Sequence, residues 1–235
     1  MNRFDAASPF PSTALDTAER VTTFLKAAYG WMCAGLLVTA VVAWMLASSE
    51  SLLFSIVRSP LIWVLFIGEL GLVFYLSARV HRIAPGTAAG LFLGYSALNG
   101  ITFAAILFIY TRESIATTFF VTASMFGALA LYGTTTRRSL AGMGQFLFMG
   151  LIGIVIASVV GIFWHNDGFQ FLLSFLGVIL FTALTAYDAQ RLKAMAVALP
   201  EGQTGSYAIV GALSLYLDFI NLFLYLLRIL GDRRS

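Results

Sequence analysis

Three carboxylates, Glu69, Asp188 and Asp218, stand in or at the edge of long apolar runs. A carboxylate at the centre of a membrane helix costs ~2.5–3.5 kcal/mol on insertion scales, so each must be compensated by a proton, a partner or water. Proton exchange and coordination of a hard cation are the chemistries open to such groups. The stretch 213–230, LSLYLDFINLFLYLLRIL, poses the question most sharply, because Asp218 falls near its middle. On a helix advancing about 100° per residue, Ser214, Asp218, Asn221, Tyr225 and Arg228 share roughly a quarter of the circumference. The other faces are Leu, Ile and Phe. A polar stripe on such a helix faces protein or a watery cavity.

Asp188 closes the preceding apolar run, in LTAYDAQRLK, and shares one broad side of it with Gln170, Ser174, Gly177 and Thr185. The short connection 192–206 makes the last two helices antiparallel neighbours. Asp188 enters from the inner end, whereas Asp218 lies about eleven residues, or ~16 Å, into the next span. Contact therefore requires the sixth helix to be tilted or set deeper. If the acids meet, they cannot both stay ionised in a low dielectric, so one proton is shared and the pair is a proton-sensitive latch. Deprotonated, it is a doubly negative oxygen site of the kind Ca²⁺ prefers, holding the ion transiently. The alternative is that each acid is only an interhelical hydrogen-bond donor.

Glu69, in IGELGLVFYLSARVHR, either lines a pathway or bonds a Ser or Thr on the facing helix. Gly68 and Gly71 beside it would let that helix come close. Arg79 and Arg82 read either as counter-ions for Asp188 or as positive anchors at the inner membrane face. His81 and His165 read as solvated loop residues. No buried Ser–His pair or His/Glu cluster is available for hydrolysis, and Lys26 and Lys193 are the only lysines, neither deep in the last span where a retinal Schiff base needs one. The chain is expected not to be an enzyme and to carry no cofactor.

Of its residues 60% are hydrophobic and only 11% charged, with mean hydropathy +0.89, which fits a polytopic membrane protein and no soluble domain of this size. The net charge of +3 comes from Lys and Arg near run ends, suited to anionic lipid headgroups and not to nucleic acid. The single cysteine, Cys33, has no intrachain partner, and no cleavable signal peptide is expected.

Seven apolar runs of spanning length fall at 29–47, 61–79, 86–109, 115–132, 142–163, 170–189 and 207–230. Residues 1–15 read as a flexible tail and 16–28 as a short interfacial helix. The expected organisation is a cytoplasmic tail and interfacial helix over 1–28, one transmembrane bundle over 29–230 and a short basic tail over 231–235. The excess of Lys and Arg in alternate loops puts the N-terminus in the cytoplasm. Seven spans then put the basic tail outside; a re-entrant last run would return it. Gly86, Gly90 and Gly94, and Gly153, Ala157 and Gly161, have the spacing of helix-packing seams.

LTAYDAQRLK and LYLDFINLFLYLLRILG resemble the two terminal signatures of the transmembrane Bax inhibitor motif family, also called the Bax-inhibitor-one family. AYGWM in the first span, GEL in the second and MFGALALYG in the fourth extend the resemblance over essentially the whole chain. It looks closest to bacterial inner-membrane members. The resemblance implies an all-α bundle of seven transmembrane helices, the central one wrapped by the other six. It also implies a pH-sensitive calcium leak governed by an aspartate pair, here Asp188 and Asp218. An arginine near the inner end of the second helix, Arg79 or Arg82, would compete for Asp188. Glu69 matches an acidic position found in part of the family. Ser214, Asn221 and Tyr225 are further pathway candidates from the stripe. The expected function is thus a cation leak, with Ca²⁺ as permeant ion and the lipid bilayer as surroundings. The alternative is a protein-interaction role, as substrate or modulator of a membrane-bound quality-control protease, or a scaffold without transport.

Overall fold

The computed structural model describes residues 12–164, 166–199 and 204–234. The helices run α1 Ser12–Ala47, α2 Glu50–Val57, α3 Leu61–Arg79, α4 Pro85–Ala104, α5 Ile106–Ile109, α6 Arg112–Thr135, α7 Gly144–Phe163, α8 Asp167–Ala198 and α9 Thr204–Leu230. Seven segments are long and apolar enough to cross a membrane, α4 and α5 counting as one. No strand occurs among the described residues.

The last helix is the axis. In α9, 72% of the apolar window is buried, against 44% in α8 and 6% in α3. It packs against α1, α4, α6 and α8, touches α3, and shares an apolar cluster of Leu222, Tyr225 and Leu226 with Leu147 and Ile154 of α7. Its Leu, Ile and Phe faces pack on the surrounding helices and its polar stripe is kept from lipid, so it is the helix the bundle encloses. Its 27 residues reach ~40 Å, enough to span, and nothing interrupts them, so the last run is not re-entrant.

Three expectations are corrected here. No break separates an interfacial helix from the first span: α1 is one helix of 36 residues. Phe24, Ala28 and Met32 are all buried in the same core as α9, because residues on both sides of position 28 keep one helical stripe. Of the flexible tail expected over 1–15, residues 1–11 lie outside the described residues, and the helix already begins at Ser12. The seams at Gly86, Gly90, Gly94 and Gly153 are not seams, since a Cβ at any of them, as at Gly68 and Gly71, would meet nothing within 4 Å. The buried face of α4 instead carries Ala88, Phe92, Tyr95, Ser96, Asn99 and Gly100.

The sixth run extends ten residues beyond Asp188, to Ala198. Its tail QRLKAMAVA, where Gln190, Arg191 and Lys193 interrupt the apolar run, stays helical because Ala189, Leu192 and Ala196 continue the buried stripe, while Arg191 and Lys193 face outward. Apolarity ends before the helix does. His81 falls in the turn Val80–Arg82, and His165 lies outside the described residues.

Candidate functional site

Helices α8 and α9 approach closely at two notches, one on each side of the acids. Tyr225 of α9 seats its ring on Gly177 of α8, where a Cβ would lie 2.6 Å from the ring; reciprocally, Leu192 of α8 seats on Gly211 of α9. Asp188 lies between Gly177 and Leu192, and Asp218 between Gly211 and Tyr225. Asp188 stands ten residues from the end of α8 and Asp218 fourteen from the start of α9. In an antiparallel pair that is an offset of only ~6 Å along the axis. The ~16 Å separation inferred from apolarity alone disappears because α8 is longer than its apolar part.

The two carboxylates are thus neighbours across the α8–α9 contact, close enough for one charge to be felt by the other. Asp218 is 4% exposed, and its Oδ2 has no hydrogen-bond partner. Asp188 is 13% exposed at the side chain, and its Oδ1 lies 3.9 Å from Nη1 of Arg191, one turn along the same helix. Asp188, Arg191 and Ser214 line a cavity of about 40 Å³, room for a water at most. The polar stripe of α9 is thus divided. Ser214 faces this small cavity, Asp218 is sealed, and Asn221, Tyr225 and Arg228 line a cavity of about 460 Å³ towards the other end, with Gln170 and Ser158. Between the two, Asn221 Nδ2 donates to the Leu217 carbonyl at 2.8 Å. Tyr225 stacks on Phe181 with centroids 5.8 Å apart, and the Arg228 guanidinium lies 5.7 Å over the Tyr225 ring.

Arg79 and Arg82 are exposed, and among the described residues the cation paired with Asp188 is Arg191. Helical i,i+3 spacing could have pointed to Arg191 from the sequence. Glu69 is not beside the aspartates. It is half-buried between α3 and α4, where the Thr102 hydroxyl lies 3.4 Å from its Oε1 while donating its proton to the Asn99 carbonyl at 2.8 Å; the facing-helix hydroxyl is its polar neighbour. Among the described residues no group of three His, Cys, Asp or Glu side chains gathers. The aspartate pair is the nearest approach to a cation ligand set. Two carboxylates supply only part of the six to eight oxygens Ca²⁺ takes, so by themselves they do not form a closed cage for it.

A family model described as "Inhibitor of apoptosis-promoting Bax1" matches residues 21–235. The chain belongs to that family. It is 45% identical over 238 residues, the full length of both chains, to the inner membrane protein YbhL of Escherichia coli K12. An uncharacterized protein of Borreliella burgdorferi is 45% identical over 217 residues, covering 90% of this chain and 93% of the relative. One from Deinococcus radiodurans is 40% identical over 224 residues, covering 94% and 95%. This Bax1 family match includes both aspartate segments and the whole of α9.

Proposed function

We propose that the protein is a proton-sensitive leak for cations, Ca²⁺ foremost, in a bacterial inner membrane, with its N-terminus in the cytoplasm. One observation carries the reading: a buried carboxylate with an unpartnered oxygen, Asp218 Oδ2, lies beside a second acid and between two cavities on one polar stripe. Stability gives no reason to keep such a group. A side chain that must gain or lose a proton, or meet a passing cation, does.

In this arrangement the aspartates close the path. Sharing one proton, they hold α8 and α9 together; with both ionised, they repel across a low-dielectric gap, and a divalent cation relieves that repulsion. Arg191 takes the role expected of Arg79 or Arg82, as the cation paired with Asp188. Because α9 touches every other span, a small displacement at Asp218 is felt throughout the bundle. Kinship to a relative called an inner membrane protein supports the location, as does the gathering of Arg20, Lys26, Arg79, Arg82, Arg137, Arg138, Arg191 and Lys193 at one end.

The test is calcium flux into liposomes between pH 5 and 8 for the native chain, Asp188→Asn and Asp218→Asn. The native chain should show a pH-dependent flux and both variants a flattened one. Identical profiles in all three would remove the gate.

A further inference from the structure

At the end of the bundle opposite the basic loops, the chain after α9 does not run free. Thr111 N–H donates to the Asp232 carbonyl at 3.1 Å, Arg234 N–H to the Ile109 carbonyl at 2.9 Å, and Asp232 N–H to Ser114 Oγ at 2.9 Å. Tyr110 and Arg233 form an antiparallel bridge. This strap places Arg234 on the wall of a cavity of about 440 Å³ that Arg112 and Trp44 also line. Two arginines on the wall of one space favour a negative group between them.

That cavity shares Trp44, Leu107 and Ile115 with a second, of about 200 Å³, which runs inward between α1, α6 and α9. The inner one is walled by Ala43, Phe103, Phe219 and Phe223, with Ala40 and Phe119 on its rim. Its one polar residue, Thr39, is turned away, the hydroxyl bonding the Ser96 carbonyl at 2.8 Å and Tyr216 OH at 2.6 Å. Ala40, Trp44 and Phe119 are exposed on the bilayer-facing surface. A paired-cation chamber opening into a dry slot, at the depth where a tryptophan marks the interface, has the polarity profile of a phospholipid.

We infer that this compartment binds one phospholipid of the bilayer, with its phosphate between Arg112 and Arg234 and one acyl chain in the apolar slot against α9. Arginine forks suit phosphate oxygens. In the segments 111–114 and 231–234, Arg112, Arg233 and Arg234 outweigh Glu113 and Asp232, favouring an anionic headgroup over a zwitterionic one. The chain end would rest on Phe219, the residue after Asp218, and on Phe223.

Full-length protein in detergent, titrated with phosphatidylglycerol and analysed by native mass spectrometry, should retain one lipid per chain. Phosphatidylcholine with the same chains should be retained at least threefold less. R112Q/R234Q should lower phosphatidylglycerol retention at least tenfold, and R112K/R234K should keep most of it. A40F, filling the slot from its exposed rim without touching either arginine, should also lower retention at least tenfold. Equal retention by the native chain and both loss variants would overturn the site. Displacement of the lipid by glycerophosphoglycerol or inorganic phosphate at matching concentration would assign the arginines to a free anion and overturn the acyl slot. D218N should bind lipid as the native chain does, so the outcome is independent of ion flux.

Discussion

Asp218 and Asp188 differ in surroundings more than in chemistry. One is sealed with an orphaned oxygen; the other borders a small cavity and an exposed arginine. The pair therefore has an inside member and a reporting member, and substitutions at their neighbours should not be equivalent. Arg191→Gln should displace the midpoint of the flux–pH profile, because it removes the cation 3.9 Å from Asp188. Arg79→Gln and Arg82→Gln should leave it within error. Calcium-sensitive dye in liposomes, read at half-unit steps of pH, separates the two outcomes; a shift for Arg79→Gln alone would return the counter-ion role to α3. At Glu69, Thr102→Val removes the hydroxyl that lies 3.4 Å from Oε1 and bonds the Asn99 carbonyl. Losing one ordinary hydroxyl hydrogen bond typically costs about 0.5–1.5 kcal/mol, so a thermal melt in detergent should fall by a few degrees while the Asp-dependent flux profile keeps its shape.

Glycine placement decides how closely α8 and α9 meet. Gly177→Val would drive a branched side chain into the Tyr225 ring, where a Cβ alone already comes within 2.6 Å. Overpacking of this kind costs typically 1–3 kcal/mol. Gly86→Val and Gly90→Val, with nothing within 4 Å, should lie within ~0.5 kcal/mol of the native chain or raise stability through helix propensity. Melting the three variants side by side checks the contrast; equal losses would mean that α4 meets a partner through its glycine face. The same contrast explains what could be read before any coordinates. Seven spans, the polar stripe and the two acids follow from apolarity and the 3.6-residue period. Which small residues face protein does not, because in a bilayer both faces of a helix are apolar and lipid demands no polar signal of exposure. The length of α8 was hidden for a related reason. Its last turns are helical through packing of Ala189, Leu192 and Ala196, not through hydrophobic continuity. Asp188 consequently reads as the end of its run, which leaves Arg191, one turn beyond, out of consideration as its partner.

Viewed whole, the bundle has two unlike ends, and their difference predicts an orientation in the membrane. One end joins α3 to α4, α6 to α7 and α8 to α9, and is cross-tied between these connections. Arg20 donates to the Leu199 carbonyl at 2.6 Å, Ser206 to the Ile83 carbonyl at 2.7 Å, and Gln190 to the Arg138 carbonyl at 2.9 Å. It holds most of the Lys and Arg, which the positive-inside rule assigns to the cytoplasm. The other end carries α2, the turn into α6 and the strapped C-terminus, so an odd number of spans leaves the two termini on opposite sides. Residues introduced for labelling can read this directly, once Cys33, the sole native cysteine, is replaced by Ala. A cysteine at exposed Ser139, between α6 and α7, should react with a membrane-impermeant maleimide only after cells are opened. One at exposed Ser48, between α1 and α2, should react in intact spheroplasts. The reverse pattern would invert the molecule, placing Asp188 and its cavity on the outer side. The proton bias on the gate would then come from outside the cell, and the phospholipid compartment would draw from the cytoplasmic leaflet.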